Sequence, residues 1–341
     1  MNAIHRSSNP FYGCYVALRP FFLILVIWPL AGFAEDEQSF YSEEPSYFDW
    51  LDKPRDYLSE RFVSLSTRVD RFFGDERVFQ ESRSSYLRFY GDLVFKKSGS
   101  SDFNPQLQAK LVLPALEKRL HILLESDTDV TGQVPTASVP TPSGKPQVNV
   151  PNDFRAAVQV QVTDTPHWNI NTDAGIRFHG LTLPPFVRVR ASRVQTVHQW
   201  QFRFTQAVYW YEQSGMGEST QFDADYKFNE QYLGRSRTQA IWSDHDQRFD
   251  FEQSFLLFHP IDENHALSYG ASVYGQSQPN SHVTDYAISA TWRTRIHREW
   301  LFFDVQPGLS WPETESFHIT PTILLRVEAV FGDLACGCYG L

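Results

Sequence analysis

Arg188 and Arg190 stand two residues apart, as do Asp223, Asp225 and Lys227. In an extended chain that spacing puts side chains on one face. Rows of charge on one face attract small ions of opposite sign. Arg177, Arg203, Arg235 and Arg237 extend the set, and with Asp223 and Asp225 they are the candidate selectivity residues of a polar passage. The same residues also suit an interior filled by paired charges. Catalysis has weaker support. His245 lies between Asp244 and Asp246, and His282 follows Asn280 and Ser281. Lipid hydrolysis calls for a His and a Ser, with a carboxylate or Asn orienting the His. Both histidines fall in expected surface loops, where polar clusters are ordinary, so no catalytic residue is assigned. Cys336 and Cys338 form a C-x-C pair, two soft ligands where a structural zinc site wants four. A local disulfide or two unused thiols is the preferred reading. No metal or cofactor is expected.

The elements that carry these residues follow a period of two. From Tyr86 to Phe331 apolar and polar residues alternate. Phe154, Ala156, Val158, Val160 and Val162 alternate with Arg155, Gln159 and Gln161, and Leu325, Val327, Ala329 and Phe331 with Arg326 and Glu328. This is the signature of half-buried antiparallel strands. About fourteen such segments are expected, within a range of 12–16, near 84–97, 105–113, 117–126, 153–164, 168–179, 184–193, 197–212, 217–228, 234–244, 247–259, 264–276, 282–296, 299–311 and 317–332. They are longer than the roughly five or six residues of a globular strand. They match the roughly nine to eleven that cross a bilayer.

Before the strands the pattern differs. Arg6 and Arg19 precede the apolar block Phe21–Leu30, followed by Ala31, Gly32, Phe33 and Ala34. This reads as a secretory signal, residues 1–34, cut after Ala34. Cys14 precedes the apolar core, so it is not a lipid-bearing cysteine. Residues 35–83 are expected to be a periplasmic segment with one short amphipathic helix. Leu58, Phe62, Leu65, Val69 and Phe72 lie on one face over 55–73, and Gly74 stands where the helix should end. Residues 333–341 form a tail. The chain has 30 basic and 40 acidic residues, net −10. Loss of residues 1–34 removes two Arg and no acid, leaving 28 against 40, net −12. That balance argues against sequence-independent nucleic-acid binding.

Alternation alone fits a soluble sandwich as well as a barrel. Strand length, the export signal and aromatics at strand ends favour an all-β transmembrane antiparallel barrel over 84–332. Trp200 and Trp210 bracket one strand, and Trp300 and Trp311 another. The region resembles bacterial outer-membrane β-barrels, down to a last strand that alternates Leu325, Val327 and Ala329 and closes in Phe331. It departs from them in the residues that follow Phe331. The resemblance implies a Gram-negative outer-membrane location, a bilayer environment and recognition by the outer-membrane assembly machinery. The expected function is a pore or binding barrel for small polar or anionic solutes, with no nucleic-acid partner and no enzymatic step. Two other readings are a closed structural or adhesin-like barrel acting through loops such as 127–152, and an outer-membrane lipid-modifying enzyme.

Overall fold

A computed structural model describes residues 68–80, 82, 84–97, 99, 101–113, 120–126, 154–165, 167–178, 182–297 and 300–332. The signal segment, residues 55–67 of the expected helix, the 127–152 loop and the tail with Cys336 and Cys338 lie outside these.

Fourteen strands form a closed antiparallel barrel in sequence order, with β1 paired to β14. They are β1 (Tyr86–Lys96), β2 (Ser101–Val112), β3 (Leu120–Ser126), β4 (Phe154–Asp164), β5 (Trp168–Phe178), β6 (Pro185–Val197) and β7 (Trp200–Tyr211), then β8 (Gly215–Lys227), β9 (Leu233–Ser243), β10 (Arg248–Pro260), β11 (His265–Gln276), β12 (His282–His297), β13 (Leu301–Pro312) and β14 (Thr320–Gly332). Closure leaves no unpaired edge, so the ladder hydrogen bonds are met within the wall.

The alternation sorts side chains between wall faces. Leu87, Phe89, Val158, Val160, Val187 and Val189 point outward and are exposed, while Arg88, Gln159, Arg188 and Arg190 between them are buried. An apolar exterior around a charged interior inverts a soluble protein and suits a barrel whose solvent is lipid. Aromatics mark the rims. Trp200 packs on Tyr226 at 4.7 Å and Trp300 stacks on Phe331 at 5.0 Å, both at the rim where β1 starts and β14 ends. Trp210 faces outward near the opposite rim. An even strand number brings both barrel ends to one rim, which is the architecture of bacterial outer-membrane barrels.

Two boundaries differ from the sequence reading by four residues. β2 begins at Ser101 rather than 105 and runs through Pro105, opposite Gly91. Its ladder to β3 covers 108–112, so Pro105 sits where no β3 ladder bond needs its missing N–H. β6 continues to Val197 and turns at His198, whose φ is 54°.

Residues 68–73 are helical (α1) and Gly74, with φ 64°, ends that turn as expected. A second short helix, α2 (Glu76–Gln80), follows and was not foreseen. The described part of the segment expected in the periplasm, 68–80, sits inside the barrel. Val69 and Phe73 pack on Leu233, Leu256, Phe258 and Ala266 of β9–β11, with Phe72 alongside, and Phe79 packs on Tyr86 and Val330. The helix thus spends its apolar face on a patch of the inner wall.

Candidate functional site: the charged lumen

Register decides which charges meet. Opposite charges stand directly across strands at Asp223–Arg237 and Asp225–Arg235 (β8–β9), at Arg293–Asp304 (β12–β13), at Asp304–Arg326 (β13–β14) and at Asp92–Arg326 (β1–β14). On β5–β6 it sets Asp173 beside Arg188, and on β3–β4 Glu125 beside Arg155. Direct cross-strand neighbours are the closest side-chain pairs a sheet offers.

The inserted segment is held by two clamps. At the first, Arg235 grips Asp225 with Nε (2.7 Å) and Nη2 (2.8 Å), and reaches Asp75 with Nη1 (2.7 Å) and Asp70 with Nη2 (2.7 Å). Arg77 donates to both oxygens of Asp70 at 2.8 and 2.9 Å, and to Asp223 at 3.3 Å. Arg237 completes the group through Asp223 at 2.7 Å. At the second clamp, Arg88 donates to Glu328 at 2.6 Å, to Glu76 at 3.2 Å and to the Gly74 carbonyl at 3.0 Å. Arg293 bonds Asp304 at 2.7 Å and also Glu328. Arg326 grips Asp92 with Nε at 2.6 Å and Nη2 at 2.8 Å, across the seam that closes the barrel. A carboxylate gripped by both edge nitrogens of a guanidinium is the strong form of this pair. Gly74 belongs to the second clamp for steric reasons as well: a Cβ there would lie 2.9 Å from Glu328 Oε1.

The wall from β2 to β6 has a different balance. Its buried charges are Lys110, Arg155, Arg177, Arg188 and Arg190 against Asp173. Glu125, partly exposed, adds a second acid, at 3.3 Å from Arg155 and 3.9 Å from Arg188. Asp102 and Asp164 stand near the strand ends. Arg188 holds Asp173 through Nε at 2.7 Å, Gln159 donates to the same carboxylate at 2.8 Å, and His121 meets Gln159 at 3.0 Å. Arg155 donates to the Tyr211 hydroxyl at 2.9 Å and Arg177 lies over the Tyr211 ring at 4.6 Å. Elsewhere, the buried cations of the described lumen (Arg77, Arg88, Arg235, Arg237, Arg293, Arg326) face a larger set of buried acids: Asp70, Asp75, Glu76, Asp92, Asp223, Asp225, Asp285, Asp304 and Glu328. Among the described residues, one side of the lumen is cationic and the other, with the inserted segment, is acidic.

The sequence candidates therefore divide. Arg177, Arg188 and Arg190 lie together on the cationic wall. Arg235, Arg237, Asp223 and Asp225 belong to the first clamp. Arg203 is half-buried on β7, in register with Asp223. The acids that complete the clamps, Asp70, Asp75 and Glu76, were not singled out, nor was Arg77. The signal available was a helix with an apolar face followed at once by charges of both signs. His245 lies in an exposed turn, and His282 meets Glu313 at 3.2 Å at the rim opposite the chain ends of the barrel. Among the described residues there is no group of His, Cys, Asp and Glu placed to hold a metal ion.

No protein-family model and no curated protein matches this chain. Solved structures similar to it include OprB of Pseudomonas putida, with TM-score 0.48, 8% identity and coverage of 75% of this chain and 96% of that one. The monoaromatic hydrocarbon channel CymD is similar at TM-score 0.45 and 9% identity, over 75% of this chain and 90% of that one. The outer membrane channel DcaP of Acinetobacter baumannii follows at 0.42 and 8%, over 73% and 96%. At these scores the membrane assignment rests on the molecule's own closed wall and apolar exterior.

Proposed function

We propose that this protein is an outer-membrane channel for small anionic solutes, which travel along the cationic wall of β2–β6. The reading is supported by one observation: among the described residues, that wall carries five buried cations and one fully buried acid, Asp173. Inside a low-dielectric wall such an excess attracts anions and repels cations. The inserted segment occupies the acidic side and narrows the lumen at the rim where β1 starts. In this reading the chain is exported by a signal cut after Ala34, the assembly machinery reads the last strand ending in Phe331, and no chemical step is assigned.

The test is reversal potential in planar bilayers under a salt gradient, with wild type and the double variant Arg188→Glu, Arg190→Glu. Wild type should prefer anions and the variant should shift toward cations. An unchanged reversal potential, in a variant that still shows the heat-dependent gel shift of a closed barrel, would sink the assigned role of this wall.

A further inference from the structure

Arg190 differs from the other arginines that grip acids in this lumen. It is 95% buried, and its Nε and Nη2 have no hydrogen-bond partner. Those two atoms form the edge with which Arg235 holds Asp225 (2.7 and 2.8 Å) and Arg326 holds Asp92 (2.6 and 2.8 Å). The same edge of Arg188 is taken by Asp173. On Arg190 it is unused, although the fork is shaped for two oxygens of one carboxylate.

Register supplies the rest of the site. Asn171 of β5 stands directly across from Arg190. It is fully buried, its Nδ2 donates to Asn169 Oδ1 at 3.2 Å, and its own Oδ1 has no partner. Ala207 of β7 stands across on the other flank, where its methyl side chain offers Arg190 no polar group. Two unpartnered donors and one unpartnered acceptor thus belong to side chains in direct cross-strand register.

We propose that Arg190 and Asn171 form a binding subsite for a small carboxylate that carries a neighbouring hydroxyl. The carboxylate takes the Nε and Nη2 donors of Arg190, and the hydroxyl donates to Asn171 Oδ1. Both protein groups are shielded from water, so binding calls for a local rearrangement that exposes them. The inference deepens the anion-channel reading and rests on it for the route to the site. It adds the class of anion: a hydroxy acid is held better than a plain carboxylate or a spherical ion, because only the hydroxy acid meets both groups.

The experiment is a ligand-observed NMR titration of the full-length protein in detergent, with glycolate and, separately, acetate. Glycolate should bind wild type more tightly than acetate. Arg190→Gln should weaken glycolate by about tenfold or more, the loss expected when a charge-assisted fork is removed. Arg190→Lys keeps the charge without the fork and should weaken it as well, which guards against a Gln variant that fails to fold. Asn171→Ala should leave acetate unchanged and erase the advantage of glycolate. Equal binding of glycolate to wild type and Arg190→Lys overturns the proposal, as does no binding of glycolate at millimolar concentrations. Arg190-dependent binding without anion preference in bilayers keeps the subsite and removes the channel. Anion preference without glycolate binding keeps the channel and removes the subsite.

Discussion

The two sides of this lumen use the same residue types for different ends. On the side of β8–β9 and β12–β14 each fully buried arginine is matched by acids, some from the wall and some from residues 68–80. Arg235 has no side-chain exposure and three carboxylates within 2.7 Å. Among the described residues, cations outnumber acids on the side of β2–β6, and Glu76 of the inserted segment lies toward it. A buried charge stripped of its partner is costly, so the dense ion network that joins wall and segment fixes structure. The acidic side therefore reads as a seat for the segment.

The sharpest way to break this comparison is to make one substitution on each side. Arg235→Gln leaves Asp70, Asp75 and Asp225 together without their central cation. Losing one member of a buried ion network costs about 3–5 kcal/mol. The expected result is release of residues 68–80, read as rapid tryptic cleavage after Arg71 and Arg77 and as higher single-channel conductance. Arg188→Gln should cost far less, because Asp173 keeps the Gln159 donor and the wall loses an excess positive charge. Equal protection of Arg77 in both variants would show that the two sides are not different in kind.

Next in size is the seam. Asp92→Asn keeps the shape of the Arg326 partner and removes its charge, at a cost of about 1–3 kcal/mol. The heat-dependent gel shift should occur at a lower temperature, with residues 68–80 still protected, since Arg326 touches the wall and not the segment. Loss of protection without loss of heat resistance would mean that the seam also serves the seat.

What the sequence made legible follows the range of the interaction. Strand period is local, and all fourteen segments were readable from alternation. The end of β6 was misplaced because Val194, Gln195, Thr196 and Val197 break the alternation near the rim, and because the turn at His198 uses a positive φ without the glycine that usually announces it. The helix was readable over 68–73 from the spacing of Val69 and Phe72, and its stop from Gly74. Its destination was not, because the contacts that decide it are not local. Asp75 meets Arg235 across 160 residues, and Arg77 meets Asp223 across 146. Arg235 and Arg188 look alike in sequence. Only register and the inserted acids separate a clamp residue from a wall cation.

A smaller effect is expected at Gly74→Ala. A residue with a Cβ is penalised by about 1–2 kcal/mol in the left-handed region. Here the Cβ also meets Glu328, which is fully buried and bonded to Arg88 and Arg293. Tryptic cleavage after Arg77 should speed up without change in barrel heat resistance. A variant as protected as wild type would show that this turn does not help to hold the segment.

The mildest test is pH, through Glu76. Burial pushes its carboxyl up from 4.5 to about 7, against the pull of Arg88 and the Gln108 hydrogen bond, with Glu125 raising it further and Arg190 lowering it. On release the group returns to water and its ordinary value. The seated value is the higher one, so seating takes up a proton. Seating is then strongest below pH 4.5, weakens as pH rises toward about 7, and levels off above that. Asp70, raised by burial against Arg235 and Arg77, acts in the same direction from 3.8 upward. Asp75 is held well below 3.8 by Arg77, Arg237 and Arg235 in spite of its burial, and its help is lost only as pH falls below 3.8. Between about pH 6 and pH 7 Glu76 contributes a change of roughly 1 kcal/mol. Tryptic cleavage after Arg77, corrected for the pH dependence of the protease on a free peptide, should therefore quicken across that interval in wild type. The rise should be smaller in Glu76→Gln, which keeps a hydrogen-bonding side chain beside Arg88 and Gln108 but cannot titrate. A wild-type profile that is flat, or a Gln variant that follows wild type, would remove Glu76 from the seat and leave the first clamp as the holder of the segment.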